Sequence, residues 1–177
     1  LLKASTKPKF IEFHRLCEFN KRGLDVDVIL DLMIHDIDLL SILIPSPIKT
    51  ISAYGAPVLT SSIDMASARI EFQTGEAANL TASRISLKQM RQMRVFQKNS
   101  YSVVDFQSQK LNTWKIGSQQ KLKSVNHKTI ASNALFEELN HFIYSIQHGL
   151  LEKVRGEDGF NALKIASKIQ KKIAEKQ

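Results

Sequence analysis

Between Val26 and Ile44 the chain is almost wholly apolar, yet it carries Asp27, Asp31, His35, Asp36 and Asp38. No other feature constrains the fold so tightly. A helix that is apolar all round belongs inside a protein, and buried charges are costly unless they are paired or used. A lipid-facing span would not tolerate these charges, so the segment reads as a core helix and no membrane partner is expected. The pattern predicts a helix from about Asp25 to Ile44, stopped by Pro45-Ser-Pro47. On such a helix Asp31, His35 and Asp38 fall at i, i+4 and i+7, on one face. A carboxylate beside an imidazole holds the ring in one tautomer and raises its basicity. The segment therefore reads as a catalytic helix. The plainer alternative is a pair of polar groups satisfied by neighbouring backbone. A metal site is the other alternative, but no fourth ligand stands at matching spacing, so no metal is expected.

Period-two alternation takes over elsewhere. A first strand is predicted at Lys9–Cys17, ahead of the helix. Six more follow at Ile48–Val58, Ile63–Gln73, Glu76–Arg84, Arg91–Gln97, Ser102–Gln107 and Lys110–Ile116. Short turns such as Thr74-Gly75 and Lys98-Asn99-Ser100 favour antiparallel neighbours in one meander. Ser118–Lys128 reads as a loop. Two helices close the chain, at Asn133–Gly149 and about Glu157–Lys176. The first has the apolar stripe Leu135, Leu139, Phe142, Ile143 and Ile146. The second turns Ala162, Ala166, Ile169 and Ile173 inward. The expected fold is α+β: one domain over residues 1–177, with a large, mostly antiparallel open sheet covered on one face by helices. The other face, with residues such as Ala68, Ile70 and Phe72, is expected to be buried by a partner subunit.

The net charge is +8, with lysines and arginines gathered between Arg84 and Lys98 and again between Lys164 and Lys176. Such clusters suit nucleic acid. No aromatic platform interleaves them, however, and the tail lysines lie opposite an apolar stripe. A solvated helix face and an anionic-substrate site are the preferred reading, with a basic nucleic-acid-binding domain as the alternative. A single cysteine, Cys17, fits a reducing cytoplasm. No signal peptide is visible at Lys3–Lys9.

The run Asp31-Leu-Met-Ile-His35-Asp-Ile-Asp38-Leu-Leu resembles the Asp-x-x-x-His helix of the Gfo/Idh/MocA oxidoreductases. The similarity extends through Phe10-Ile-Glu-Phe-His-Arg15, Asn79-Leu-Thr-Ala-Ser-Arg84-Ile and Gly156-Glu-Asp-Gly159-Phe-Asn-Ala-Leu163-Lys-Ile-Ala166. The resemblance implies a two-domain enzyme. A Rossmann domain would bind NAD or NADP, and an α+β domain would carry substrate contacts and a sheet that pairs with its copy. This chain is similar to the second domain alone. Its seven glycines include no Gly-x-Gly-x-x-Gly after a strand. Residues 1–8 would then be the remnant of a linker from a missing Rossmann domain. Thr6-Lys7-Pro8 lacks the Glu of the family's Glu-Lys-Pro, so the family's lysine role is not carried to Lys7. Met33 stands where many members place a small residue.

By that resemblance His35 would be the general base that takes a hydroxyl proton as hydride leaves the same carbon, with Asp31 orienting it. Arg15, Arg84 and Asp38 are the candidate substrate contacts. Both arginines suit an anion. His14, next to Arg15, could also point into the cleft, and Asp38 could instead bond a loop or sheet backbone. The implied substrate is a sugar or nucleotide sugar, with the 3-hydroxyl of a UDP-amino sugar as the narrowest form. The implied assembly is a homodimer or homotetramer through the open sheet face. The alternative from another class is a non-catalytic binding or assembly module on the same fold.

Overall fold

A computed structural model describes residues 7–21, 23–117, 121–127, 133–150 and 154–176. The linker reading of residues 1–8 therefore lies mostly outside the described residues, as do both ends of the 118–128 segment. Strand β1 (Pro8–Leu16) leads through a loop to a π-helical turn (Ile29–Met33). That turn runs on into helix α1 (Ile34–Leu43). Strands β2 (Ile48–Ala56), β3 (Met65–Phe72), β4 (Ala77–Ser83), β5 (Met90–Gln97), β6 (Ser100–Asp105), β7 (Lys110–Ile116) and β8 (Leu122–Asn126) follow. Helices α2 (Ala134–His148) and α3 (Gly156–Ala174) end the chain. No described helix is long and apolar enough to cross a membrane.

The eight strands form one sheet in the order β2-β3-β4-β1-β5-β6-β7-β8. It is mostly antiparallel, as the short turns predicted, but it is not a simple meander. β1 is inserted between β4 and β5, parallel to β4 and antiparallel to β5. Alternation shows that a strand exists and which side is apolar, not which neighbour it takes. The predicted loop over 118–128 is also corrected, because Leu122–Asn126 pairs with β7, from Ile116↔Leu122 to Asn112↔Asn126. Its lysines masked a short edge strand.

α1 and α3 lie together on one face of the sheet. Beneath them Ile11, Phe13, Met33, Ile37, Ile70, Leu80, Ile169 and Ile173 are almost wholly excluded from solvent. Ala162 and Ala166 on α3 let the backbones approach closely, since small side chains fill little of the gap. Ala68, Ile70 and Phe72 point into this core. The expectation that a partner buries them is overturned: the chain's own helices do so. The opposite face carries the residues of other parity, such as Ser67, Arg69 and Glu71. Along it runs a row of rings, Phe10–Phe96–Tyr101–Trp114, with centroids 5.7, 4.9 and 5.4 Å apart. The Arg69 guanidinium lies 6.0 Å over Phe10 at the end of that row.

The two C-terminal helices differ. α3 buries the predicted stripe, whereas Leu135, Leu139, Phe142, Ile143 and Ile146 on α2 are all more than half exposed, at 51–64%. The stripe on α2 is present as predicted, but it does not cover the sheet, and no described residue buries it.

Candidate active site

The catalytic-helix segment is held in place by charges at its entry. Asp27 accepts bonds from the backbone N–H of Ile29 and Leu30 at 3.0 and 3.1 Å, satisfying donors that a helix start leaves open. Its other oxygen takes Gln170 Nε2 at 2.7 Å, tying the entry to α3. The first turn is π-helical, closed by the Ile34 N–H on the Ile29 carbonyl. Asp31 sits inside that wider turn. π turns within helices occur often at functional sites, and the 3.6-residue spacing argument did not foresee this one.

The loop before the helix is gripped from the sheet side. Arg84 donates to the carbonyls of Gly23 at 3.2 Å and Val26 at 2.6 Å, and its side chain is only 4% exposed. Its Nε lies 3.8 Å from Asp64. Asp64 is fully buried and accepts the backbone N–H groups of Val58, Leu59 and Thr60 at 2.7–2.8 Å, together with the Thr60 hydroxyl. Burial opposes its ionisation, but those donors outweigh burial and hold its pKa down at about 2. Gly23 adopts φ +67, a left-handed conformation that costs little only for glycine. It lies so close to Asp31 that a Cβ there would stand 3.7 Å from the carboxylate. Sequence reasoning missed both Asp27 and Asp64. Their signal was an aspartate just before a helix and another closing a Thr-Ser-Ser turn, the positions where carboxylates take up loose N–H groups.

Arg15 and Asp36 form a bidentate pair across the gap between β1 and α1, with Nε–Oδ2 at 3.0 Å and Nη2–Oδ1 at 2.6 Å. Their side chains are 14% and 4% exposed. Burial raises the pKa of Asp36, while the Arg15 bonds and the nearby His35 and Arg91 charges pull the other way. The tie from this helix to the sheet is thus made by Asp36, side chain to side chain. The Asp38 side chain is half-buried and makes no hydrogen bond to another described residue. His14 cannot share a cleft with Arg15, because neighbours in a strand point to opposite faces. It lies on the open face, where its Nδ1 is buried without a partner.

Asp31 and His35 differ from these frame residues. His35 is exposed and Asp31 half-buried, and no hydrogen bond joins them or ties either side chain to another described residue. Catalytic bonds of this kind commonly tighten only when substrate is bound. Cys17, at the end of β1, lies in the field of Asp31. Burial first, and then that charge, raise its thiol pKa, while Arg91 and Arg84 oppose. These effects disfavour the thiolate. Met33 is fully buried in the core, so its bulk serves packing and does not narrow the cleft.

The arrangement presents an open imidazole beside charges that hold the frame, Asp27, Asp36, Arg15 and Arg84. Such a group can take a proton from a hydroxyl brought to it. Among the described residues no three His, Cys, Asp or Glu side chains converge as metal ligands. A dinucleotide's phosphates need a glycine turn between a strand and a helix. Gly156 and Gly159 open α3, but the element before it is α2, so the described residues form no such cradle.

A family model described as the GFO/IDH/MocA C-terminal domain matches residues 14–100, a span that includes Asp31, His35 and Arg84. The UDP-N-acetylglucosamine 3-dehydrogenase of Acidithiobacillus ferrooxidans is 40% identical over 111 residues, 63% of this chain and 36% of that protein. A solved structure of that dehydrogenase superposes on 95% of this chain and 54% of its own, at 32% identity and a TM-score of 0.88. The chain thus spans about half of the solved relative. A levoglucosan dehydrogenase in complex with NADH and levoglucosan has the same fold, with a TM-score of 0.82 over 97% of this chain and 58% of its own at 12% identity.

Proposed function

Because the chain belongs to the Gfo/Idh/MocA family as its C-terminal domain, we propose that it is the substrate domain of an NAD(P)-dependent dehydrogenase acting on a nucleotide sugar. The single observation that carries the reading is His35. It is left exposed and unbonded on a helical segment where Asp27 and Asp36 are engaged in holding the fold and Asp31, one turn before it, is free to orient it. In this reading His35 takes the proton of the hydroxyl being oxidised, and Asp31 orients the ring. A nicotinamide supplied by a dinucleotide-binding domain would accept the hydride. The named activity of the A. ferrooxidans relative points to the 3-hydroxyl of UDP-N-acetylglucosamine. Asp38, unbonded on the same helix, is a further candidate for substrate contact, while Arg15 acts through Asp36 and Arg84 through the Gly23–Val26 loop that it holds. The unpaired Cys17 is consistent with work in the cytoplasm.

The test follows NAD(P)H absorbance in the full-length protein with UDP-N-acetylglucosamine, other UDP-sugars and free sugars. Turnover that requires the UDP-sugar is expected. A full-length protein that binds NAD(P)H and UDP-N-acetylglucosamine yet transfers no hydride would instead be a binding module.

We also propose that the open sheet face pairs with its copy in a homodimer or homotetramer. The ring row Phe10–Phe96–Tyr101–Trp114 supports this, since aromatic side chains dominate the buried centres of interfaces. Trp114→Glu should shift sedimentation of the wild-type oligomer to the monomer. A wild-type monomer at micromolar concentration would dispose of the idea.

A further inference from the structure

Arg91 is a strand charge on the helix-covered side that the frame does not use. The β1–β5 register sets it directly across from Arg15, with the same parity as the core residues Met93 and Val95. Like charges opposite one another in a sheet repel unless something neutralises them. Arg15 is neutralised by Asp36. Arg91 is exposed, and no carboxylate among the described residues lies within ion-pair distance of it. It is still part of the site's surroundings, because its charge acts on both Asp36 and Cys17, and Cys17 also feels Asp31.

Beside it opens a cavity of about 180 Å³ lined by Lys88, Gln89, Arg91, Gln92, Asp105 and Gln107, with Met90. Asp105 is occupied there: one oxygen accepts the backbone N–H groups of Gln107 and Ser108 at 2.9 and 3.0 Å. The cations at this mouth, Lys88 and Arg91, are the charges left without such bonds. Pockets that enclose a whole ligand run from roughly 300 Å³ upward, so this one suits an end or a linking group of a ligand.

We infer that Arg91, with Lys88 beside it, is the contact for the diphosphate of a nucleoside-diphosphate sugar, holding that group while the sugar ring reaches His35. This rests on the nucleotide-sugar reading above. A guanidinium meets phosphate oxygens with two parallel N–H donors, and a contact remote from the reacting carbon fixes the position of the ring. A dinucleotide cofactor carries the same chemistry, so the test must separate the two sources.

Calorimetry on the full-length protein, with UDP-N-acetylglucosamine, UDP and NADH as separate titrants, does so. Arg91→Gln is expected to weaken UDP-N-acetylglucosamine and UDP by about 10- to 100-fold and to leave NADH unchanged. Arg91→Lys should recover part of the loss, as a point charge without the fork. An unchanged thermal melt of Arg91→Gln would show that the loss is local. Equal UDP affinity in Arg91→Gln and wild type overturns the inference. A loss confined to NADH overturns it as well, assigning Arg91 to the dinucleotide. A wild type that oxidises a free sugar and ignores both UDP ligands overturns the nucleotide-sugar reading itself.

Discussion

Asp31 and Asp36 stand five residues apart in one helical segment and are used in opposite ways. Asp36 is buried, bidentate to Arg15 and part of the joint between helix and sheet. Asp31 sits in the π turn, half exposed and without a hydrogen-bonding partner for its side chain among the described residues, one turn from the equally free His35. The same division recurs nearby, where Asp64 and Arg84 are consumed by backbone groups while Arg91 is left open. The contrast teaches that charges in an apolar segment need not share a purpose. Those with complete bonding hold the frame. Those without it are available for chemistry.

The contrast would break if a frame charge proved dispensable to the fold. Asp64→Ala strands three backbone donors and the Arg84 charge inside the protein, so a loss of about 3–5 kcal/mol in urea unfolding is expected. Acid sharpens the same point. The carboxyl titrates at about 2 in the folded protein against 3.8 ordinarily, so its contribution is complete above about pH 4 and fades as pH falls toward 2. Wild type should therefore lose stability steeply over that window, and Asp64→Ala should lose less. Helices α2 and α3 offer the apolar version of the comparison. Ile169→Ala on α3 should cost about 2–4 kcal/mol, and Leu139→Ala on the exposed face of α2 less than about 0.5 kcal/mol in this chain. A large cost at Leu139 would mean that α2 is already covered.

Much of this was legible in the residues. Pro45-Ser-Pro47 ends the helix where expected, the seven predicted strands are all present, and α3 turns its stripe of Ala162, Ala166, Ile169 and Ile173 inward. What was not legible is what periodicity does not encode. Alternation in Phe10–Arg15 could not say that β1 slips between β4 and β5, because pairing order is decided by long-range packing. The stripe on α2 shows that a face exists, not that anything lies opposite it. Asp36 and Asp38 differ little in sequence context, and only the position of Arg15 across the gap decides which one bonds the sheet. The loop ahead of the π turn at Asp31 is gripped by Arg84, some sixty residues away in the chain, a contact that no local pattern encodes.

The division between frame and working charges is tested most directly by measuring thermal stability and hydride turnover together in His35→Ala and Asp36→Ala of the full-length protein. His35→Ala should keep the wild-type melting temperature and lose about 10²- to 10⁴-fold in turnover with UDP-N-acetylglucosamine. Asp36→Ala should lower the melting temperature clearly, since it leaves Arg15 without its partner. A His35→Ala protein that melts as early as Asp36→Ala, or turns over like wild type, would contradict the account.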